Sequence, residues 1–554
     1  MSLLDTASLI VTPNGYKEGK LYSVIPSDGS GDMSVVRATT ATRVNSAGLV
    51  ELVPYNLLTY SEDFNNAAWI SGEITLASGQ SSPLGTNTAF KITGASATNA
   101  FLLQVGIPVT SGNTYTASVY LKGSTSGSVS LRVDSGSTAP NNPVSYTNEW
   151  QRFTYTFTAG STTATAILGG YNTWTGSEEI FVYGFQLVEG SVAKDYQKTE
   201  TRLNIPRLDY SNGTCPSLLV EPQRSNVTLQ SENLSTTWYT AGGLLTTNAT
   251  TSPSGILNAD KIKADTSNGI HVYQQTLAVS ASTVYTMSVF VKSSELTFLE
   301  LADASSLKGQ TFNLTAQTIL APQTGGFSPT TSSKIEDYGN GWLKCSITYT
   351  TLSIVSFFRI SLSNGSTTSF TGNNTDGLFV WGAQLEAGSY PTSYIPTTSA
   401  SVTRNADVIS KTGISSLIGQ TEGTLFWDVD FEVVANNDAI FIKENATFDT
   451  FVFMQKESSG IIACGYYGSG ALQARIESSP VTVGRYKIAF AYKNNDFVMY
   501  LNGTQVGTDT SGTVSGLMDY FDLHWTESGC NNAYASALLK TRLTNSQLAQ
   551  LTTI

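Results

Sequence analysis

One stretch of this chain is written twice. NLLTYSEDFNNAAW begins at Asn56 and NVTLQSENLSTTW at Asn226, so that Asn56 recurs as Asn226 and Glu62 as Glu232 at a constant offset of 170 residues. Val50-Glu51 recurs upstream as Val220-Glu221, and TASVYLKG (116–123) recurs downstream as TMSVFVKS (286–293), at the same offset. A period this long is a whole domain; solenoid units run to roughly 20–50 residues. The chain therefore carries a duplicated module.

The content of each copy is alternation. YTASVYLKG and RFTYTFTAG in the first copy, and YTMSVFVKS and LKCSITYT in the second, place apolar residues at every other position, with Val, Thr, Tyr and Phe dominating. That is the pattern of strands with one buried face. Ser/Gly/Asn/Thr clusters such as GSTSGS and SNGSTTS separate them as turns. The fold class expected is all-β: tandem antiparallel β-sandwiches of the jelly-roll kind. The copies also close alike. FVYGFQLVEGSVAKDYQKT (181–199) matches FVWGAQLEAGSYPTSYIPT (379–397) at an offset of 198, so the second copy holds 28 additional residues between Lys292 and Gly382. Loops around 309–326 are expected to absorb them.

Three connectors resemble one another: TATRVNSAGLVE (40–51), TETRLNIPRLDY (199–210) and SVTRNADVIS (401–410). They set the expected division: an N-terminal region at 1–55, sandwiches at 56–200 and 215–400 with a linker at 201–214, and a third domain at 405–554. In the third domain, Asn494-Asn495 and Asn502-Gly503 lie between alternating segments, as hairpin turns do. LTNSQLAQLTTI closes the chain as a short helix capped at Thr544 or Asn545, with Leu548 and Leu551 at helical spacing. Residues 1–55 are too few to bury a core alone, so packing on a second copy or on another protein is expected.

Composition narrows the function. With 30 basic against 42 acidic residues, a net charge of −12 and no basic stripe, the chain is not expected to bind nucleic acid. No run approaches 18 apolar residues, so no membrane-spanning helix is expected. Asp5 falls where a secretory leader would be basic, so no leader is expected. The four cysteines (215, 345, 464 and 530) are scattered without a CxxC pair, which argues against zinc and a disulfide framework and for a reducing compartment.

RATTATRVNSAGLVE with NLLTYSEDFNNAAW, and FVWGAQLEAGSYPTSYIPT, resemble modules of virion fibre and adhesin proteins of tailed bacteriophages. AFAYKNNDFVMYLNGTQV, ending in KTRLTNSQLAQL, resembles the laminin-G-like, concanavalin-like sandwich that closes such proteins. The resemblance implies a head or tail fibre on the virion surface, made in the host cytoplasm. It also implies carbohydrate-binding-type sandwiches, a homotrimer, attachment to capsid or tail proteins through the N-terminal region, and host glycans as partners.

For chemistry, the candidate is WDVDFEV, which puts Asp428, Asp430 and Glu432 on one strand face, successive members about 7 Å apart. Retaining glycosidases need two carboxyls about 5–5.5 Å apart. Concanavalin-fold glucanases carry E-x-D-x-E on an inner strand; here Asp428 replaces the first Glu, and the motif opens the domain. A solvated acidic face opposite Trp427, Val429 and Phe431 is the reading favoured, so no catalytic residue is assigned. The alternative is a capsule-polysaccharide depolymerase using Asp428 and Glu432; a ligand-free decoration protein is the other. Neither His271 nor His524 falls in a GxSxG, HExxH or P-loop setting. Asn436-Asn437-Asp438 reads as a solvated turn rather than a calcium loop. No metal or cofactor is expected. For binding, aromatic platforms beside amides and hydroxyls hold sugars. Tyr171 and Trp174 in GGYNTWTGSEE, Phe370 at the position of Trp174 in the second copy, and His524, Trp525 and Tyr534 are the candidates.

Overall fold

The computed structural model describes residues 6–53, 56–94, 99–170, 179–200, 203–444, 448–523 and 529–554. The chain forms two compact units, one of residues 54–205 with 17–20, the other of residues 1–16, 21–53 and 206–554.

In the smaller unit two five-stranded antiparallel sheets face each other. One runs Gln151–Thr158, Thr114–Gly123, Glu179–Glu189, Ala89–Gly94, Ile74–Gln80; the other runs Pro143–Tyr146, Gly127–Asp134, Thr163–Gly169, Phe101–Pro108, Ile70–Gly72. Alternation sends Tyr115, Ala117, Val119 and Leu121 into the core with Phe64, Trp69 and Phe185. Thr116, Ser118, Tyr120 and Lys122 take the outer face.

The second copy lies within the larger unit and repeats this strand order. Its sheets run Gly243–Thr251, Leu257–Ala264, Gly377–Ala387, Val284–Ser293, Trp342–Thr350 and Tyr239–Ala241, Val272–Ala278, Val355–Ser363, Phe298–Asp303, Lys308–Asn313. Trp69 and Trp238 stand just before equivalent strands and are both buried. The extra residues are edge strands, Thr318–Leu320, Ser328–Pro329 and Ser332–Asp337, rather than loop alone. An edge has free ladder groups, so a sandwich grows there without disturbing its core.

The repeated residues form a latch. Asn56 donates to Phe185 O (2.7 Å) and accepts from Leu58 N and Leu187 N (both 2.9 Å); Asn226 donates to Ala383 O (3.1 Å) and Ile395 O (2.8 Å) and accepts from Thr228 N (3.0 Å) and Leu385 N (3.1 Å). Tyr196 reaches Ser61 (2.8 Å) and donates to Glu62 (3.1 Å), as Tyr394 does to Ser231 (2.6 Å) and Glu232 (3.2 Å). The motif thus ties the start of each module to its end. Gly184 and Gly382 have φ of 62° and 64°, and a Cβ there would lie 3.0 Å from the Tyr196 ring and 2.9 Å from the Phe290 ring. Only glycine meets both conditions.

The expected separate N-terminal region is corrected. Leu9–Lys17 pairs with Asn531–Leu539 (Leu9 opposite Leu538), and Met33–Val36 pairs with Val408–Thr412. Leu9, Val11, Leu21, Met33 and Val35 share one core with Trp427, Val429 and Phe431. The apolar faces of the N-terminal strands are satisfied within the chain, by the C-terminal sandwich. The expected 201–214 linker is likewise part of a hairpin, Arg207–Asp209 with Ser217–Val220, whose second strand joins Asn531–Leu539. The closing helix Asn545–Thr552 is capped by Thr544, with a reciprocal Gln547 bond, and buries Leu548.

Arg207 and Arg404 of two connectors meet Arg37 in a buried hub. Asp407 takes Arg37 Nη1 (2.7 Å) and Arg207; Glu221 takes Arg207 Nη1 (2.6 Å) and Arg404 Nη1 (2.7 Å). All five side chains are at most 3% exposed. Burial would raise both carboxyls, but Arg207 and Arg37 at Asp407, and Arg404 and Arg207 at Glu221, outweigh it and hold them below the ordinary range. All four cysteines are free thiols, Cys215 exposed and the others buried. Among the described residues no helix is long and apolar enough to cross a membrane.

Candidate functional site

The outer face of the smaller unit's Glu179–Glu189 sheet carries a row of side chains across four strands. Register sets Lys122 opposite Phe181 and Phe181 opposite Lys91, while Leu121 opposite Gln151 brings Trp150 beside Lys122. The row reads Trp150, Lys122, Phe181, Lys91. Lys122 Nζ lies 5.3 Å from the Trp150 ring centroid and 5.0 Å from that of Phe181, within cation–π range. The neighbouring row is Arg152, Tyr120, Tyr183, with the Arg152 guanidinium 5.4 Å from the Tyr120 ring. Trp150, Lys122, Phe181, Tyr120 and Arg152 are all half-buried, so part of each is open to solvent.

Beside these rows, Glu62 accepts from Tyr183 (2.9 Å) and borders a cavity of about 400 Å³ with Tyr60, Thr88, Phe90 and Lys198. Burial, with the Glu62 charge added, pushes the Tyr183 and Tyr196 hydroxyls far up, so both stay neutral donors. Half-buried rings, fixed hydroxyl donors, a carboxylate acceptor and cations make a surface that a polyhydroxylated ring can stack on and hydrogen-bond to.

The second copy repeats the row residue for residue, as Trp342, Lys292, Phe379, Lys261, followed by Lys344, Phe290, Trp381. There it is closed. Phe290, Trp342 and Trp381 are at most 2% exposed and pack with Val50 of the hairpin Thr42–Val44/Val50–Leu52 and with Tyr338 of the inserted edge (4.8 Å from Phe290). The hairpin is held by Val50 N to Pro253 O (2.9 Å) and by Thr42 to Tyr394 O.

Of the sequence candidates, Tyr171, Trp174, His524 and Trp525 lie outside the described residues. Phe370 is partly buried in the ribbon Asn268–Ile270/Ser369–Thr371, its ring 4.6 Å from His271, which makes it packing rather than platform. Tyr534 is half-buried beneath the Arg485 guanidinium (3.8 Å). Sequence reasoning misses the row, although its signal is present: Lys122/Lys292 and Phe181/Phe379 stand in the matched segments.

The acidic face is not solvated as expected. Asp428 is 5% exposed and paired bidentately with Arg485 (2.8 Å twice), so it is no free nucleophile. Asn532 donates to Glu432 (2.8 Å), and Asn212 reaches Asp430 (3.4 Å) and Glu432 (3.3 Å). Burial first, then the Glu432 charge, pushes Asp430 up to about 6. Glu432 also lines a cleft of about 970 Å³ within the larger unit, with Asn212, Glu336, Tyr338 and Asn532. The expected solvated turn at 436–438 is corrected too: Asn436 O (2.7 Å) and Oδ1 (2.6 Å) hold Lys456 Nζ, and Asp438 lies 3.4 Å from it. An ammonium occupies the oxygens a calcium ion would need. Among the described residues no group of three or more His, Cys, Asp or Glu is placed to hold a metal.

Residues 57–169 match the family described as "Carbohydrate binding domain". This span contains Tyr120, Lys122, Trp150 and Arg152. Curated protein sequences give no match. Solved structures to which the chain is similar include the native heptameric SAP-like pentraxin from Limulus polyphemus (14% identity, 23% of this chain and 68% of that chain, TM-score 0.20). The N-terminal CBM22-1-CBM22-2 tandem domain from Paenibacillus barcinonensis Xyn10C is similar at 11% identity (60% and 98%, TM-score 0.21), and mouse laminin alpha1 chain domains LG4-5 at 9% (55% and 92%, TM-score 0.19).

Proposed function

We propose that this protein is a non-enzymatic, modular glycan-binding protein whose first module holds sugar on its Trp150–Lys122–Phe181 face. The observation that carries this is an open aromatic row in a module that matches a carbohydrate-binding family. The second module, in which Trp342 of the row is buried in one cluster with Val50 and Phe290 packs on Tyr338, serves as scaffold. Display as a trimeric fibre on a tailed-phage virion is supported by the sequence resemblance. Linked copies would turn weak single contacts into useful adhesion, because each further contact is effectively intramolecular. Affinity electrophoresis of the full chain through gels containing soluble polysaccharides tests the reading. Retardation by at least one polymer is expected, and unaltered mobility in all of them overturns it.

The depolymerase alternative loses Asp428 to Arg485, and only Asp430 in its place, raised to about 6 beside the Glu432 carboxylate, supports hydrolysis. A general acid and a neighbouring carboxylate are what glycoside hydrolysis uses. Non-enzymatic action predicts that no polymer is shortened on prolonged incubation. Shortening that disappears in Asp430→Asn or Glu432→Gln would establish hydrolysis.

A further inference from the structure

We infer that the ligand of the first module's face is an acidic glycan, one whose sugars carry carboxylates. This rests on the glycan-binding reading above and adds the class of sugar. Lys122 and Arg152 are diagonal neighbours on adjacent strands, between and beside the rings of Trp150, Phe181 and Tyr120. Lys91, at the end of the row, is neutralised by Glu179 (2.7 Å). Among the described residues the other two have no carboxylate partner. Arg152 donates only to neutral oxygens, Ser118 Oγ (3.0 Å) and Lys194 O (2.6 Å), and the contacts of Lys122 are the two ring faces.

Two unneutralised, half-buried cations side by side are out of keeping with a chain of net charge −12. Like charges on adjacent strands repel, and partial burial costs each some hydration. An arriving carboxylate removes the repulsion and accepts charge-assisted hydrogen bonds, while the sugar ring stacks on Trp150. A neutral sugar uses the rings and leaves the charges unanswered.

The experiment is affinity electrophoresis of the full chain in gels containing either polygalacturonate or a neutral β-glucan. Polygalacturonate is expected to retard the protein more strongly, and added salt to weaken that retardation, since exposed charges are screened beyond about 10 Å at 0.1 M. Lys122→Met is expected to lower affinity for polygalacturonate about tenfold or more, the worth of one charge-assisted hydrogen bond. Lys292→Met, at the same place in the covered row of the second module, is expected to change nothing. The melting profile of Lys122→Met should match wild type, which separates lost binding from lost folding. Stronger binding of the neutral polymer, or Lys122→Met equal to wild type, overturns the ligand class and leaves glycan binding standing. Wild-type mobility unaltered in both gels overturns the ligand class, and the same result across every other polysaccharide overturns the glycan reading with it.

Discussion

Asp407→Ala should damage the larger unit through charge, not through lost volume. Asp407 neutralises Arg37 and Arg207 at 1% exposure, and Glu221 is the other carboxylate of the hub. Removing Asp407 leaves three buried guanidiniums against one carboxylate and strands Arg37 without its ion-pair partner. Breaking a buried pair from one side costs about 3–5 kcal/mol. With an unfolding entropy of about 2.1 cal/mol/K per residue over roughly 400 residues, that is a fall of about 4–6 °C in the melting midpoint of this unit. Differential scanning calorimetry at neutral pH reads it. The double variant Asp407→Ala/Arg37→Met should recover part of the loss, because the stranded cation goes too. The carboxyls of Asp407 and Glu221 are held below their ordinary values, so the hub's contribution is full above about pH 4 and fades as pH falls further. Asp407→Ala should therefore be less acid-sensitive than wild type. A midpoint within one degree of wild type, or a double variant no better than the single, would refute the reasoning.

Asn56→Ala removes one donor bond and two accepted bonds inside the first module and should lower its stability by about 2–3 kcal/mol, read by urea unfolding of the full chain, with little change in strand content by circular dichroism. The equivalent Asn226→Ala should do the same to the second module. Asp438 is fully buried and raised to about 6, so its protonated form favours folding, and stability should fall by about 3 kcal/mol as pH rises from about 4 to 6. Asp438→Asn cannot titrate, and its melting midpoint should lack that slope; an unchanged slope would assign the titration elsewhere.

The duplication made the sandwich topology legible, because strand alternation and a conserved offset constrain both copies at once. Asn502-Gly503 and the Thr544 cap were legible for the same local reason: positive φ and an orphan N–H each demand particular residues. What escaped the sequence is pairing across long separations. Alternation says that Leu9 and Val11 have a buried face, not that Leu538 lies opposite Leu9. Asp428 was assigned to a strand face correctly, but its neutralising Arg485 sits on the neighbouring strand, 57 residues on. The binding row was hidden differently. Trp150, Lys122, Phe181 and Lys91 are scattered over 91 positions and become a row only through register. Whether such a row is open also depends on what covers it, and Val50 precedes the Trp342 it helps to bury by nearly 300 residues.

The central claim is that one module of the pair presents the binding face, and isothermal titration of the full chain tests it most directly. The titrant is an oligosaccharide cut from whichever polysaccharide retards the protein most in electrophoresis. The expected stoichiometry is one per chain, since the Trp342 row is covered, and Trp150→Ala should weaken binding by about 30-fold or more, as loss of a central aromatic anchor costs 2 kcal/mol or above. Two equivalent sites per chain, or undiminished binding by Trp150→Ala, would contradict the account.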